Sequence, residues 1–254
     1  MLRNLLICGL LAGLVGGLLT AGFASVVGEP SVDRAISFES AKSRAAGQAP
    51  EPELVSRGVQ KSVGLTTAAV LYGVALGGLF ALVFAFVYGR VGRASPGRTS
   101  LWLAAGTFVV VFLVPFLKYP SNPPSIGHAD TIDRRTGLYL TMVAISILAA
   151  VAAARLRVVL ARRGSAAVAT GVAVASYLVV VIGAGLALPG IHEVPRSFPA
   201  TTLWAFREAS VGMQLVMWSA IGLAFAATAP RVMAGKTILP RRPSARREVA
   251  APSE

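Results

Sequence analysis

The sequence predicts an all-α membrane protein with about six transmembrane helices arranged in three hairpins. The first observation is composition: hydrophobic residues make up 55% of the 254 residues, charged residues make up 14%, and the mean hydropathy is +0.68. A soluble domain has a charged fraction nearer about 25%. So much apolar surface needs lipid to cover it, and the lipid bilayer is therefore the first predicted partner.

The second observation is a set of six apolar segments, each close to the roughly 20 residues that cross the hydrocarbon. They lie at Leu5–Val27, Gly64–Tyr88, Leu101–Leu117, Leu138–Ala154, Ala166–Leu188 and Val211–Ala229. None of them contains Asp, Glu, Lys or Arg. The first segment is longer than the roughly 7–15 apolar residues of a signal peptide, so we expect it to be retained as a helix.

The third observation is the alternation of charge between successive connections. Basic residues are concentrated in the N-terminus, in the second and fourth connections between the segments, and in the C-terminal tail. They are Arg3, Arg90, Arg93, Arg98, Arg155, Arg157, Arg162, Arg163, Arg231, Lys236, Arg241, Arg242, Arg246 and Arg247. The other three connections hold nine of the eleven acids, namely Glu29, Asp33, Glu39, Glu51, Glu53, Asp130, Asp133, Glu193 and Glu208. The positive-inside rule places both termini in the cytoplasm.

Residues 1–232 are predicted to form one transmembrane domain. Residues 233–254 are rich in Pro, Ala and Arg without apolar periodicity, which predicts a disordered basic cytoplasmic tail. The net charge of +13 does not indicate nucleic-acid binding. The basic residues are spread over separate connections and are not interleaved with aromatic residues, as a nucleic-acid surface would require.

Glycine recurs at every fourth position in the first two segments, at Gly9, Gly13 and Gly17 and again at Gly73 and Gly77. This spacing places the glycines on one helix face and lets two backbones approach closely. It is typical of ordinary tight packing. It also fits a seam between helices one and two, or a homo-oligomer that uses these faces.

The sequence contains no HExxH, GxSxG or Walker A motif. We therefore expect that the protein is not an enzyme and binds no cofactor. Since it has no Walker A loop to hydrolyse ATP, a gradient or another subunit would have to drive any transport.

Acidic and imidazole groups lie just beyond the ends of the apolar segments. The candidate metal ligands are Glu29, Asp33, His128, Asp130, His192 and Glu193. Imidazole nitrogen and carboxylate oxygen suit intermediate divalent metals such as cobalt, nickel or zinc, and three converging connections would supply a ligand set. The alternative is local ion pairing with the nearby basic residues Arg34, Arg134, Arg135, Arg196 and Arg207.

Five stretches carry a resemblance to a known family. They are Gly28-Glu-Pro-x-x-Asp-Arg-Ala35, Ser56-Arg-Gly-Val-Gln60, Pro115-Phe-Leu-Lys-Tyr-Pro-x-Asn-Pro-Pro124, Glu193-Val-Pro-x-x-Phe-Pro-Ala200 and Leu203-Trp-x-Phe-Arg207. With them, the chain up to about Val232 resembles the CbtA family of predicted bacterial cobalt transporter subunits. The resemblance implies cobalt uptake at a bacterial plasma membrane, with cobalt as substrate and a small His-rich membrane subunit, CbtB, as partner.

Two alternatives stay open at this point. The absence of charged residues within the segments favours a non-transporting scaffold or sensor, because secondary transporters usually carry intramembrane polar groups. The proline-rich connections are predicted to form stiff, non-helical caps over the bundle. In one alternative, Asn122 and Glu193 line an access vestibule beneath these caps. In the other, the caps are purely structural and are held by ion pairs. The bases of these pairs would be Arg57, Lys118 and Arg207, and the acids would be Glu29, Glu193 or Glu208.

Overall fold

Six long helices form the part of the protein that the structure describes, as predicted. The computed structural model describes residues 1–47, 55–90, 94–124 and 126–235, and no β-strand occurs within these ranges. The helices are α1 (Leu2–Ala45), α2 (Arg57–Val87), α3 (Pro96–Lys118), α4 (Ile132–Ala161), α5 (Ala166–Ala187) and α6 (Ala200–Met233). Each is long and apolar enough to cross a membrane. Most of the predicted tail, together with Glu51, Glu53 and Arg93, lies outside the described residues.

Helices α1 and α6 extend well past their apolar segments. With 44 residues and a rise of about 1.5 Å per residue, α1 measures about 66 Å, roughly twice the thickness of the hydrocarbon core. Its part Glu29–Ala45 was predicted to be a connection, and α6 begins at Ala200 instead of Val211. The predicted boundaries were wrong at these two ends because hydropathy detects only the part of a helix that lipid surrounds.

Pro30 and Pro115 lie inside helices, although a proline in a helix interior usually kinks or breaks the helix. A proline ring removes one N–H donor and clashes with the carbonyl group four residues earlier. A wider π-helical turn precedes each ring, at Ala24–Gly28 and at Phe108–Leu113. Because a π turn changes the spacing of the preceding carbonyl groups, the chain passes each proline and continues as a helix.

Helix α1 packs between α2 and α6, and its glycine face meets that of α2. A Cβ atom at Gly13 would lie 2.1 Å from the Gly73 carbonyl oxygen, and one at Gly9 would lie 2.2 Å from the Gly77 carbonyl oxygen. The predicted seam between helices one and two is confirmed. Because both glycine faces are filled within one chain, a homo-oligomer would have to use another surface.

The remaining helices pack in order around this centre. Helix α3 lies against α6 and touches α4, which pairs with α5. An aromatic cluster of Phe80, Phe84 and Phe225 closes the core between α2 and α6, with ring centroids 5.0–5.2 Å apart. The end of the bundle with Arg90, Arg98, Arg162 and Arg163 is called the arginine-rich end below. Large apolar side chains such as Leu79, Leu148, Val179 and Leu223 are exposed around the bundle, as a lipid-facing surface requires.

Candidate functional site at the proline-rich end

The opposite end of the bundle, called the proline-rich end, is formed by the connections 119–131 and 188–199 and the adjoining ends of α1, α2 and α6. A small apolar cluster holds these parts together. Ala35 on α1, Ile126 in the first connection and Phe198 in the second are buried in contact with one another. The rings of Phe38 and Phe198 meet edge to face at 5.1 Å. The extension of α1 is thereby attached to both connections.

Two hydrogen bonds join the connections to each other. Lys118 Nζ donates to the Leu188 carbonyl oxygen and the Tyr119 hydroxyl donates to the Pro189 carbonyl oxygen, each at 2.8 Å. Lys118 was predicted to pair with an acid, and this was wrong. The end of α5 has carbonyl groups with no partner inside the helix, and Lys118 satisfies one of them.

Arg207 connects α6 to the first connection. Its Nη2 donates to Asn122 Oδ1 at 3.0 Å and its Nε donates to the Ser121 carbonyl oxygen at 3.3 Å. An ion pair of Arg207 was therefore wrongly predicted. Asn122, predicted to line a vestibule, accepts a hydrogen bond from this guanidinium group. Arg207 is half-buried, so few water molecules reach its guanidinium group. The two acceptors therefore hold the guanidinium group against the first connection.

Four charged residues form an ion-pair cluster between α1 and α2. Arg57 bonds through Nη2 to Glu29 Oε2 and through Nε to Asp33 Oδ1, the latter at 3.3 Å. Lys61 Nζ lies 2.9 Å from Asp33 Oδ2. The two acids are four residues apart and share one helix face. The predicted pair of Arg57 and Glu29 is confirmed. The Glu29 side chain is only 14% exposed, against 42% for Asp33.

Glu193 lies in a second, separate cluster. Its Oε2 accepts a hydrogen bond from the His128 backbone N–H at 3.2 Å and lies 3.4 Å from Arg135 Nε. The Thr131 hydroxyl is within reach of both the Glu193 carboxylate and the His128 carbonyl oxygen. Gly127, with φ +113°, brings the chain against Arg135: a Cβ atom there would lie 2.4 Å from Arg135 Nη1. Glu193 thus joins α4 to the second connection.

The six predicted metal ligands are divided between these places. Glu29 and Asp33 lie together on α1, Glu193 lies beside the backbone of His128, and the side chains of His128, Asp130 and His192 are exposed. Over residues 1–47, 55–90, 94–124 and 126–235, no three His, Cys, Asp or Glu side chains come close enough to share an ion. Their role as ligands stays a prediction.

Glu29 also faces a cavity of about 320 Å³ between α1, α2, α3 and α6. Ser121, Ser210, Met213 and Gln214 line the same cavity, and Ser121 Oγ donates to Ser210 Oγ at 2.9 Å. Ser210, Met213 and Gln214 were not among the site residues predicted from the sequence. Gln214 could have been found, since an amide inside a predicted transmembrane segment is costly without a polar partner.

Acidification is expected to loosen the contact between α4 and the second connection. The hydrogen bonds from Thr131 and His128 and the charge of Arg135 hold the pKa of the Glu193 carboxyl below its ordinary value of 4.5. Because the pKa is lower in the folded protein, the stabilisation is complete above pH 4.5 and is lost as the pH falls through the lower folded value. Hydrogen exchange of residues 188–199 between pH 7 and pH 3 would measure the loss.

Glu193→Gln should show the loosened connection already at pH 7 and little further change in acid. Glu208→Gln, at an exposed carboxyl group on α6, is the matched control and should behave as the wild type. Equal protection of residues 188–199 in all three proteins at both pH values would contradict a stabilising role for Glu193.

The comparison with protein families agrees with this architecture. The family described as "Probable cobalt transporter subunit (CbtA)" matches residues 2–230, which include all six helices almost to the end of α6. No curated protein and no solved structure matches the chain. The match covers far more than half of the 254 residues, and the chain, with its six helices long and apolar enough to cross a membrane, therefore belongs to the CbtA family, described as a probable cobalt transporter subunit.

Proposed function

We propose that the protein takes up a divalent transition metal, cobalt above all, across the plasma membrane of a bacterium, together with a small partner subunit. The proline-rich end would face outward and the arginine-rich end, with both termini, would face the cytoplasm. The placement of the basic residues supports this orientation under the positive-inside rule.

The observation that carries the proposal is the position of Glu29. Its carboxylate lies where the apolar part of α1 ends, is 14% exposed, and borders a cavity with two hydroxyl groups and one amide. Oxygen ligands of this kind bind divalent cations. Glu29 is paired with Arg57, so an entering cation would displace this guanidinium group and be held by the carboxylate while it loses water.

The proposed partner is a small membrane subunit with a His-rich end, of the CbtB kind. The chain itself has two histidines, and both are exposed on separate connections. A partner with several imidazole groups would capture the metal and deliver it to Glu29.

A non-transporting scaffold or sensor is the second candidate, and the ion pairs favour it. Glu29, Asp33 and Glu193 each contact an Arg or Lys side chain. If these contacts serve only to hold the helix ends, removing a carboxylate charge should lower the amount of folded protein and change no metal movement.

The test is cobalt accumulation in bacterial cells that lack their own cobalt importer. The chain is expressed alone and then with a small His-rich membrane subunit, and cell-associated cobalt and magnesium are measured by mass spectrometry. Cobalt is expected to rise above the empty-vector level in at least the second arrangement, with magnesium unchanged. No cobalt difference in either arrangement, with the protein present in the membrane, would reject the transport proposal.

A further inference from the structure

A groove lies between α4 and α5 at the arginine-rich end of the bundle. It has a volume of about 220 Å³ and reaches down to α3. Arg157 and Thr170 line its outer end, and Ala150 and Tyr177 line its deeper end. On each helix the outer and the deeper residue are seven positions apart, which makes the groove about 10 Å long. It therefore runs from the helix ends into the apolar part of the bundle, alongside the lipid chains.

The walls of the groove are apolar and partly exposed to lipid. They are formed by Ala153, Ala154, Ala173 and Val174, and Val110 of α3 lies at the floor. The Val174 side chain is 52% exposed. Because the alanines are small, a hydrocarbon chain in the groove would contact α4, α5 and α3 at once. A chain on a smooth helix surface would contact one helix.

The polar groups at the deeper end of the groove satisfy one another. The Ser146 hydroxyl donates to the Val110 carbonyl oxygen at 2.7 Å, and its oxygen lies 2.8 Å from the Tyr177 hydroxyl oxygen. A polar ligand would have to break these hydrogen bonds to bind here, which costs free energy. The deeper end therefore suits an apolar occupant.

The outer end, in contrast, holds a guanidinium group in a fixed position. Arg157 Nε donates to Thr170 Oγ1 at 2.9 Å, and the Thr170 hydroxyl donates to the Ala166 carbonyl oxygen at 2.8 Å. Over the described residues, Arg157 forms no ion pair. The sequence from 134 to 192 contains no Asp or Glu. The two Nη groups of Arg157 are thus available to an anionic ligand.

Arg157 lies at the depth of the lipid headgroups. It is three residues beyond the predicted apolar segment Leu138–Ala154 and four residues before the end of α4 at Ala161. At about 1.5 Å per residue, four residues span about 6 Å, and the headgroup layer on each side of the bilayer is about 5–7 Å thick. Arg162 and Arg163 in the adjoining connection are exposed and add positive charge. A guanidinium group binds phosphate oxygens through two parallel hydrogen bonds.

The gap between α3 and α6 shows the difference that Arg157 makes. This gap measures about 340 Å³, and the residues that the structure places around it are uncharged, among them Leu101, Phe108 and Leu215. Lipid chains can fill such a gap whatever headgroup they carry. In the α4–α5 groove, an apolar floor is combined with a cation at the headgroup level, so the groove can distinguish one headgroup from another.

We propose that the groove between α4 and α5 binds an anionic phospholipid. Its phosphate group accepts hydrogen bonds from Arg157, and one of its acyl chains lies in the groove above Val110. Since α5 packs chiefly against α4, the bound lipid stabilises this hairpin against α3. Basic pockets between transmembrane helices are a known type of site for anionic headgroups. The inference goes beyond the proposed metal uptake and does not depend on it.

Native mass spectrometry of the purified full-length chain tests the site, after equilibration with equal amounts of phosphatidylglycerol and phosphatidylcholine. We expect the wild type to retain one phosphatidylglycerol molecule in preference to phosphatidylcholine. Arg157→Gln should lower the retained phosphatidylglycerol by at least about five-fold, the contribution of one basic contact at a charged lipid surface. Arg155→Gln is the matched control, because Arg155 is exposed and does not line the groove. It should retain lipid as the wild type does.

Two further variants test the groove while the charge of Arg157 is kept. Thr170→Val removes the hydroxyl group that orients the guanidinium group and should lower the preference for phosphatidylglycerol. Val174→Trp fills the groove and should expel the lipid. Val172→Trp should not, because Val172 is similarly exposed, at 43%, but lies outside the groove. These variants decide the question if Arg157→Gln does not fold.

Three results would overturn the site. Equal retention of both lipids by the wild type would mean that the protein does not select the anionic headgroup. Equal losses in Arg157→Gln and Arg155→Gln would mean that the overall positive charge attracts the lipid and the groove does not. Displacement of phosphatidylglycerol by an equal concentration of soluble glycerol phosphate would mean that the phosphate binds without an acyl chain in the groove.

Discussion

Replacement of Glu29 by Gln is expected to reduce cobalt uptake by at least about ten-fold while the protein stays in the membrane at the wild-type level. Gln keeps the size of the side chain and an oxygen that accepts a hydrogen bond from Arg57. It removes the charge that a divalent cation needs at the mouth of the cavity. The initial rate of cobalt uptake, divided by the amount of protein in the membrane fraction, measures the effect.

Glu208→Gln is the matched control, because it makes the same change at an exposed carboxyl group of the proline-rich end. It should leave uptake unchanged. Arg57→Met tests whether Glu29 attracts a cation or serves only as the ion-pair partner of Arg57. If Glu29 serves only as the partner of Arg57, both Glu29→Gln and Arg57→Met should lower the amount of folded protein, and the double variant should recover part of it. Such a result would favour the scaffold.

The second large effect is expected from Gly13→Ala in the seam between α1 and α2. The added methyl group would lie 2.1 Å from the Gly73 carbonyl oxygen and 2.8 Å from its carbon, so two backbones must move apart. Overpacking against side chains typically destabilises by about 1–3 kcal/mol, and backbone atoms yield less than side chains. We expect a clear fall in the melting temperature of the purified protein and in its level in the membrane.

Gly183→Ala on α5 is the control for this prediction. No atom lies within 4 Å of a Cβ placed at Gly183, and alanine favours a helix over glycine by about 1 kcal/mol. This variant should melt at or slightly above the wild-type temperature. Equal melting temperatures for Gly13→Ala and Gly183→Ala would show that the seam is not the tight contact described above.

Much of the fold follows from two patterns in the sequence. Apolar runs predict the six helices because the bilayer must surround each of them. The spacing of Gly9 and Gly13 predicts the α1–α2 seam because two backbones can approach closely only where the side chains are small. Neither pattern contains information about where a helix continues into water. Glu29–Ala45 is a polar helical segment that packs against the first turns of α6 and against the connections, and local hydropathy does not detect this.

The candidate site was predicted in part. The pairing of Arg57 with Glu29 could be anticipated because opposite charges at the same end of a bundle attract. The contacts of Lys118 and Arg207 could not be anticipated, because their partners are two backbone carbonyl oxygens and the Asn122 side-chain oxygen. Every residue has a backbone carbonyl group, so the sequence does not indicate which one is the partner. The metal ligands predicted from the sequence were acids and histidines alone. Gln214 is an ordinary residue in sequence, and only the packing of α6 against α1 places it beside the cavity that Glu29 faces.

We propose that this bundle moves cobalt inward past Glu29. The most direct test is the initial rate of radioactive Co²⁺ uptake into proteoliposomes that contain the purified chain, with and without a small His-rich partner, beside the same vesicles with Glu29→Gln. We predict saturable uptake by the wild type in at least one arrangement and a loss of at least about ten-fold in the variant. Uptake equal to that of protein-free vesicles in both arrangements, or equal in wild type and variant, would contradict the claim.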